Sequence, residues 1–153
     1  MTLTVDLSPQ QLAEACVHSM WTQDLASRNL GMTLASASPG EATLTLLIEP
    51  HMVNGQGACH GGFIFTLADS AFAFACNTYN QRVVGQHCSI SYLVPAYEGD
   101  RLTAHAREHW RAGRSGIYDV TITNQDGVQV AEFRGHSRTV KGTHLPVEEL
   151  LAK

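Results

Sequence analysis

The chain has 153 residues, 44% hydrophobic and 16% charged, with a net charge of −4 and a pI near 6.0. That length fits one domain, 1–153, with a real core, and the acidic balance excludes a general nucleic-acid binder. The longest apolar run, Gly61 to Cys76, is too short to span a bilayer and carries Asp69 at its middle, so no membrane partner is expected.

The charge is uneven: residues 1–100 hold two basic side chains against eight acidic, whereas residues 101–153 hold eight against six. A basic patch in the second part can therefore meet an anionic ligand. Cys16, Cys59, Cys76 and Cys88 form no C-x-x-C pair, and the N-terminus does not read as a signal peptide, so none is expected. A reduced, cytoplasmic chain is expected.

In chain order, Ser8 to Ala26 reads as a first helix, with Ser8 as N-cap, Pro9 at its first position and Gly31 as a stop. Met32 to Ile48 reads as a β-hairpin turning at Pro39-Gly40. Glu49 to Cys59 holds one proline and two glycines and reads as an irregular loop. The run from His60 to about Asn77 is rich in Ala and Phe with little β-branching, which predicts a helix rather than a buried strand. Four strands follow: 82–94 ending at Pro95, an alternating 101–112, 115–124, and 128–140 after a turn at Asp126-Gly127. An α+β domain follows, an antiparallel sheet of five to six strands wrapped around the long, nearly uncharged helix.

An advance of ~100° per residue gives that helix two unlike sides. Phe63, Ile64, Leu67, Ala71, Phe74 and Ala75 make an apolar side for the sheet. Gly62, Thr66, Asp69, Ser70, Ala73 and Cys76 make a small, polar one, with Phe65 and Phe72 at the border. Asp69 in that setting is either a carboxylate tied up by nearby Ser, Thr or backbone groups, or a general base tuned by partial burial. Gly61 and Gly62 either make room at the sheet or expose backbone N–H groups at a helix N-terminus, as an oxyanion hole requires. Asn54 and His60 polarise a carbonyl or fix the loop. Cys59, beside His60, is the rival nucleophile; as a buried small residue it has no chemical task.

Metal is not expected, since His105 and His109 lie ~13 Å apart on a strand. Arg111, Arg114 and Ser115, around "RAGRSG", form a turn suited to phosphate, with Arg138 joining from the last strand. Solvated surface is the plainer reading of each.

"HMVNGQGACHGGFIFTLADSAFAFAC", with "SISYLVPA" and "FRGHSRTV" further on, resembles the hotdog-fold acyl-CoA thioesterases, and most of all their PaaI branch of phenylacetic acid degradation. The resemblance runs from about Met20 to Gly142. It implies hydrolysis of acyl-CoA, phenylacetyl-CoA or a ring-hydroxylated form, without metal or cofactor. It also implies two copies joined in one continuous sheet, often paired again. It makes Asp69 the base or nucleophile and Gly61 the N–H on the thioester carbonyl. Asn54 and His60 then position thioester and water from the partner subunit, and Arg114 and Ser115 meet the nucleotide end of coenzyme A. Some relatives have Glu at position 69 and a hydroxyl one turn later, where this chain has Asp69 and Ala73. A hotdog acyl-CoA hydratase and a non-catalytic acyl-CoA-binding protein are the alternatives.

Overall fold

The computed structural model describes residues 6–146; the ends of the expected 1–153 domain lie outside it. Helix α1 (Pro9–Trp21) starts in a reciprocal cap, the Ser8 hydroxyl accepting from the Gln11 N–H while the Gln11 side chain accepts from the Ser8 N–H. It stops before the expected Ala26. The Thr22 N–H and hydroxyl turn back onto His18 and Ser19 carbonyls, and Asp24 caps a new short helix, α2 (Leu25–Asn29). Two N-caps within one predicted helix are the physical reason for the break. Gly31 follows with φ +86°.

The hairpin is β1 (Thr33–Ser38) and β2 (Glu41–Leu47), with Gly40 at φ +74° in the turn. A short 3-10 turn, Pro50–Met52, precedes the loop to α3 (Gly61–Cys76), capped by His60 and ended at Asn77. The strands β3 (Val83–Tyr92), β4 (Arg101–Ala112), β5 (Ser115–Thr123) and β6 (Gln129–Thr139) complete one antiparallel sheet, ordered β1-β2-β4-β5-β6-β3.

The apolar side of α3 lies on the concave face of this sheet, with Leu67, Ala71, Phe74 and Ala75 fully buried against inward residues such as Leu44, Leu102, Val120 and Phe133. Phe72, expected at the border, is buried as well, because two strands offer glycine beneath it. A Cβ on Gly135 would stand 2.8 Å from its ring, and one on Gly85 3.1 Å. Glycine weakens a strand locally but admits such a close approach. The apolar surface so removed from water contributes roughly 1.5–3 kcal/mol per large side chain.

The strict alternation expected of β4 fails at one point. A bulge between Glu108 and Trp110 inserts His109 as an extra residue. Beyond it Trp110 turns to the convex face, opposite Ile117, and Arg111 to the concave one, opposite Gly116. There the Glu108 carboxylate accepts from Arg111 Nε and from the hydroxyls of Tyr79 and Tyr118, and the Arg111 guanidinium stacks on Tyr79. A second bulge, at Gln86 between Gly85 and His87, lies in β3, one of the two edge strands.

Candidate active site

Asp69 sits in the third turn of α3, and its hydroxyl neighbours are occupied elsewhere. The Thr66 hydroxyl donates back to the Gly62 carbonyl at 2.8 Å. Ser70 Oγ lies 2.8 Å from Ser27 Oγ, which itself donates to the Asp24 carboxylate at 2.6 Å, so Ser70 ties α3 to α2. The Asp69 carboxylate therefore has one hydrogen-bond partner among the described residues, the Cys88 thiol, a weak donor at 4.0 Å. The structural alternative for Asp69 lacks the Ser, Thr or backbone donors it requires. As a residue Asp69 is exposed in the single chain. Its carboxyl is nonetheless pushed above the ordinary aspartate value by partial desolvation. It opens on a cleft of about 480 Å³ lined by Phe65, Phe72, Ala73, Gly85 and Cys88.

The loop before α3 is built by backbone pairing. Val53 bridges Cys59, the Cys59 N–H donates to the Ala96 carbonyl, and the His60 N–H to that of Met52. Asn54 Oδ1 closes the loop by accepting from the N–H groups of Gln56 and Ala58 at 2.9 and 3.2 Å. Its Nδ2 has no partner among the described residues. His60 is the N-cap: Nδ1 accepts from the Gly62 N–H at 2.9 Å, which leaves Nε2 as the ring's other nitrogen for an outside partner. The Gly61 N–H has no partner among the described residues and stands at the positive end of the helix.

Tyr92, which sequence reading missed, completes this loop. Its hydroxyl donates to the Gly61 carbonyl at 2.9 Å, and a Cβ on Gly61 would lie 2.8 Å from its ring. The signal was its parity: Cys88, Ile90 and Tyr92 alternate on the helix side of β3. Asn54, Cys59, Gly61, Ile64 and Tyr92 line a second cleft of about 390 Å³. Cys59 is buried beside it, its thiol pushed up to about 11 by burial first and by Asp100 second, so it is protonated at neutral pH.

Asp69 and the loop group are thus not brought together within one chain. Eight residues of helix separate Gly61 from Asp69, about 12 Å of rise, and each lines its own cleft. A further cleft, about 540 Å³ beside Ser19, Asn77, Arg82 and His144, contains none of the candidates.

Of the basic group, Ser115 and Arg138 are direct cross-strand partners, and Arg114 stands in the turn beside them, where its carbonyl accepts from the Thr139 N–H. Neither Arg114 nor Arg138 has an ion-pair partner among the described residues. Arg111 is separated from them by its position on Glu108 and Tyr79. His105 lies by Glu41 and His109 by Asp119, on different partners.

A family model, Thioesterase superfamily, matches residues 56–131. The chain is 40% identical over 126 residues to the acyl-coenzyme A thioesterase PaaI of Escherichia coli K12, covering 82% of this chain and 90% of that one. The structure of the E. coli PaaI protein from the phenylacetic acid degradation operon superposes with a TM-score of 0.87 at 39% identity, over 89% of this chain and 99% of that one. A Streptococcus mutans UA159 protein bound to acetyl CoA matches at TM-score 0.71 and 26% identity, over 74% of this chain and 91% of that one. With that family model, identity and superposition, this chain belongs to the thioesterase superfamily and has its hotdog fold.

Proposed function

We propose that the protein is an acyl-CoA thioesterase that hydrolyses phenylacetyl-CoA, or a ring-hydroxylated form of it, in cytoplasmic phenylacetate catabolism. Similarity to E. coli PaaI supports the reaction class, and the S. mutans relative's bound acetyl CoA supports the ligand. Among the described residues no helix is long and apolar enough to cross a membrane.

The single observation carrying the mechanism is an Asp69 carboxylate without strong donors among the described residues, about two helical turns from a Gly61 N–H that has no partner among them. One thioester carbonyl cannot reach both in the same chain. Two chains supply both when the free β3 edges meet, which also covers Tyr92, Leu93 and Val94, exposed on the single chain. In that dimer Asp69 of one protomer faces the Asn54–His60–Gly61 loop of the other. Asp69 takes a proton from water, or attacks the carbonyl itself. The carbonyl oxygen gains negative charge against the Gly61 N–H, with Asn54 Nδ2 and His60 Nε2 as further donors. When water attacks, the C–S bond then breaks to give the acid, and coenzyme A departs as thiolate and takes up the proton held by Asp69. When Asp69 attacks, C–S cleavage leaves an acyl–Asp69 anhydride, which water hydrolyses to the acid and the free carboxylate, the second proton of that water going to the thiolate. No cofactor enters the reaction.

The test is complementation. Asp69→Asn alone and an Asn54→Ala, His60→Ala double variant alone are each nearly inactive. Their heterodimer has one site with every defect and one with none, so random refolding of an equal mixture restores about a quarter of wild-type sites. A mass-verified heterodimer that releases no thiol from phenylacetyl-CoA refutes the shared site.

A further inference from the structure

We infer that Trp110 is the stacking platform for the adenine ring of coenzyme A, in a groove on the convex face of the sheet. The inference rests on the acyl-CoA reading above and deepens it. Trp110 is half exposed, at 50%, and its indole has no hydrogen-bond or ring partner among the described residues. It is outward only because the His109 bulge shifts the register of β4. Beside it lies a groove of about 260 Å³, lined also by His87, Ser115, Ile117 and His136. The His87 and His136 rings meet edge to face at 5.4 Å. An indole face with imidazole N–H groups at its margin suits a purine, which offers a π-face and ring-nitrogen acceptors.

Charge and path identify which purine. Ser115, in the groove, is the cross-strand partner of Arg138, and Arg114 precedes it in the turn. Two arginines without ion-pair partners among the described residues, and a hydroxyl, at one end of an aromatic groove match a phosphorylated nucleoside. The groove and the Asp69 cleft share two wall residues, Gln86 and His87, at the bulge of edge strand β3. A ligand with its thioester at Asp69 can pass that bulge and lay its far end on Trp110. An extended acyl-CoA has this form, with a flexible arm between thioester and adenine nucleotide.

Adenosine 3′,5′-bisphosphate, the nucleotide end alone, is the direct probe, titrated calorimetrically against the oligomeric protein. Trp110→Ala weakens its binding by between about fivefold and about a hundredfold, the range for losing one base–aromatic stack, and Trp110→Phe restores most of it. KM for phenylacetyl-CoA rises by the same factor at unchanged kcat, whereas KM for phenylacetyl-pantetheine does not move. Wild-type affinity in Trp110→Ala, or an equal KM rise for both esters, overturns the inference. A fall in sedimentation mass for Trp110→Ala does so too, because Trp110 then contacts a second copy. If the wild type binds the bisphosphate through Trp110 yet releases no thiol from any ester, the groove stands and the hydrolase reading falls.

Discussion

Gly61→Ala separates the two reasons the structure gives for glycine at the start of α3. The added Cβ would lie 2.8 Å from Tyr92 Cζ and 2.9 Å from its hydroxyl, whereas carbon atoms rest about 3.5–4.0 Å apart. The ring must therefore withdraw by about 1 Å, enough to break its hydrogen bond to the Gly61 carbonyl. Tyr92 is 52% exposed, so it has room to move and the fold survives. A net loss of about 0.5–1.5 kcal/mol for that bond, at about 2–4 °C per kcal/mol for a chain of this size, lowers Tm by roughly 1–6 °C. Tyr92→Phe removes the same bond and leaves the glycine, so it lowers Tm comparably. Turnover distinguishes the two variants. If the Gly61 N–H holds the oxyanion, the methyl intrudes where that oxygen must sit, and kcat of Gly61→Ala falls by about 10²–10³, the scale of a lost oxyanion donor. Tyr92→Phe leaves kcat within a few-fold. The assay is thiol release from phenylacetyl-CoA at saturating substrate, beside a melting curve at fixed protein concentration, since the proposed association would make Tm concentration-dependent. Equal kcat in Gly61→Ala and Tyr92→Phe refutes the oxyanion role, and Gly61 is then glycine only to admit the tyrosine.

Asp69→Asn lowers kcat by about 10²–10⁴, the contribution of a general base, and abolishes the acid limb of the pH–rate profile. Because desolvation raises the Asp69 pKa, that limb lies above the ordinary aspartate range. Stability follows the same linkage: the native state holds this proton more tightly than the unfolded chain, so the wild type loses stability as pH rises through the raised pKa. The asparagine variant lacks that loss, and Tm against pH for the two proteins checks it. Cys59→Ala keeps most of kcat, since a buried thiol near 11 is almost wholly protonated at pH 7. An acyl group found on Cys59 by mass spectrometry during turnover would reverse this assignment.

The central helix was legible to within a residue because its ends are written in side chains: His60 caps one and Asn77 closes the other. Asn77 Nδ2 donates to the Ala73 and Val83 carbonyls while its Oδ1 accepts from the Val83 N–H, so the helix end is tied to β3. The strands were legible as runs of alternation, but alternation alone does not locate a bulge. The extra residue at His109 carries no glycine or proline to mark it, and it turned Arg111 away from the arginines with which it was grouped. The break of the first helix was missed because the apolar pattern continues through Leu25. Asp24 competes as a second cap, and its hydrogen bonds to Ser27 outweigh the propensity of one continuous helix.

Asp69 presents the deeper problem, because helical periodicity shows which residues share a face but not what covers it. Within one chain the residue is exposed and its carboxylate only partly desolvated, so only part of the cost of burying it is incurred on folding of the protomer. In the shared site proposed above, the rest falls on association and substrate binding, when the aspartate cleft, the exposed apolar end of β3 and a neighbour's loop donors would close on one another. An Asp69 fully paired in the monomer would be stable and of little use as a base, since strong donors lower a carboxylate's pKa. Thr66 and Ser70 are both within one helical turn and both turn their hydroxyls elsewhere. The polar side of α3 thus turns its hydroxyls onto its own backbone and onto α2 and leaves its one carboxylate without a strong donor among the described residues, as the proposed shared site requires.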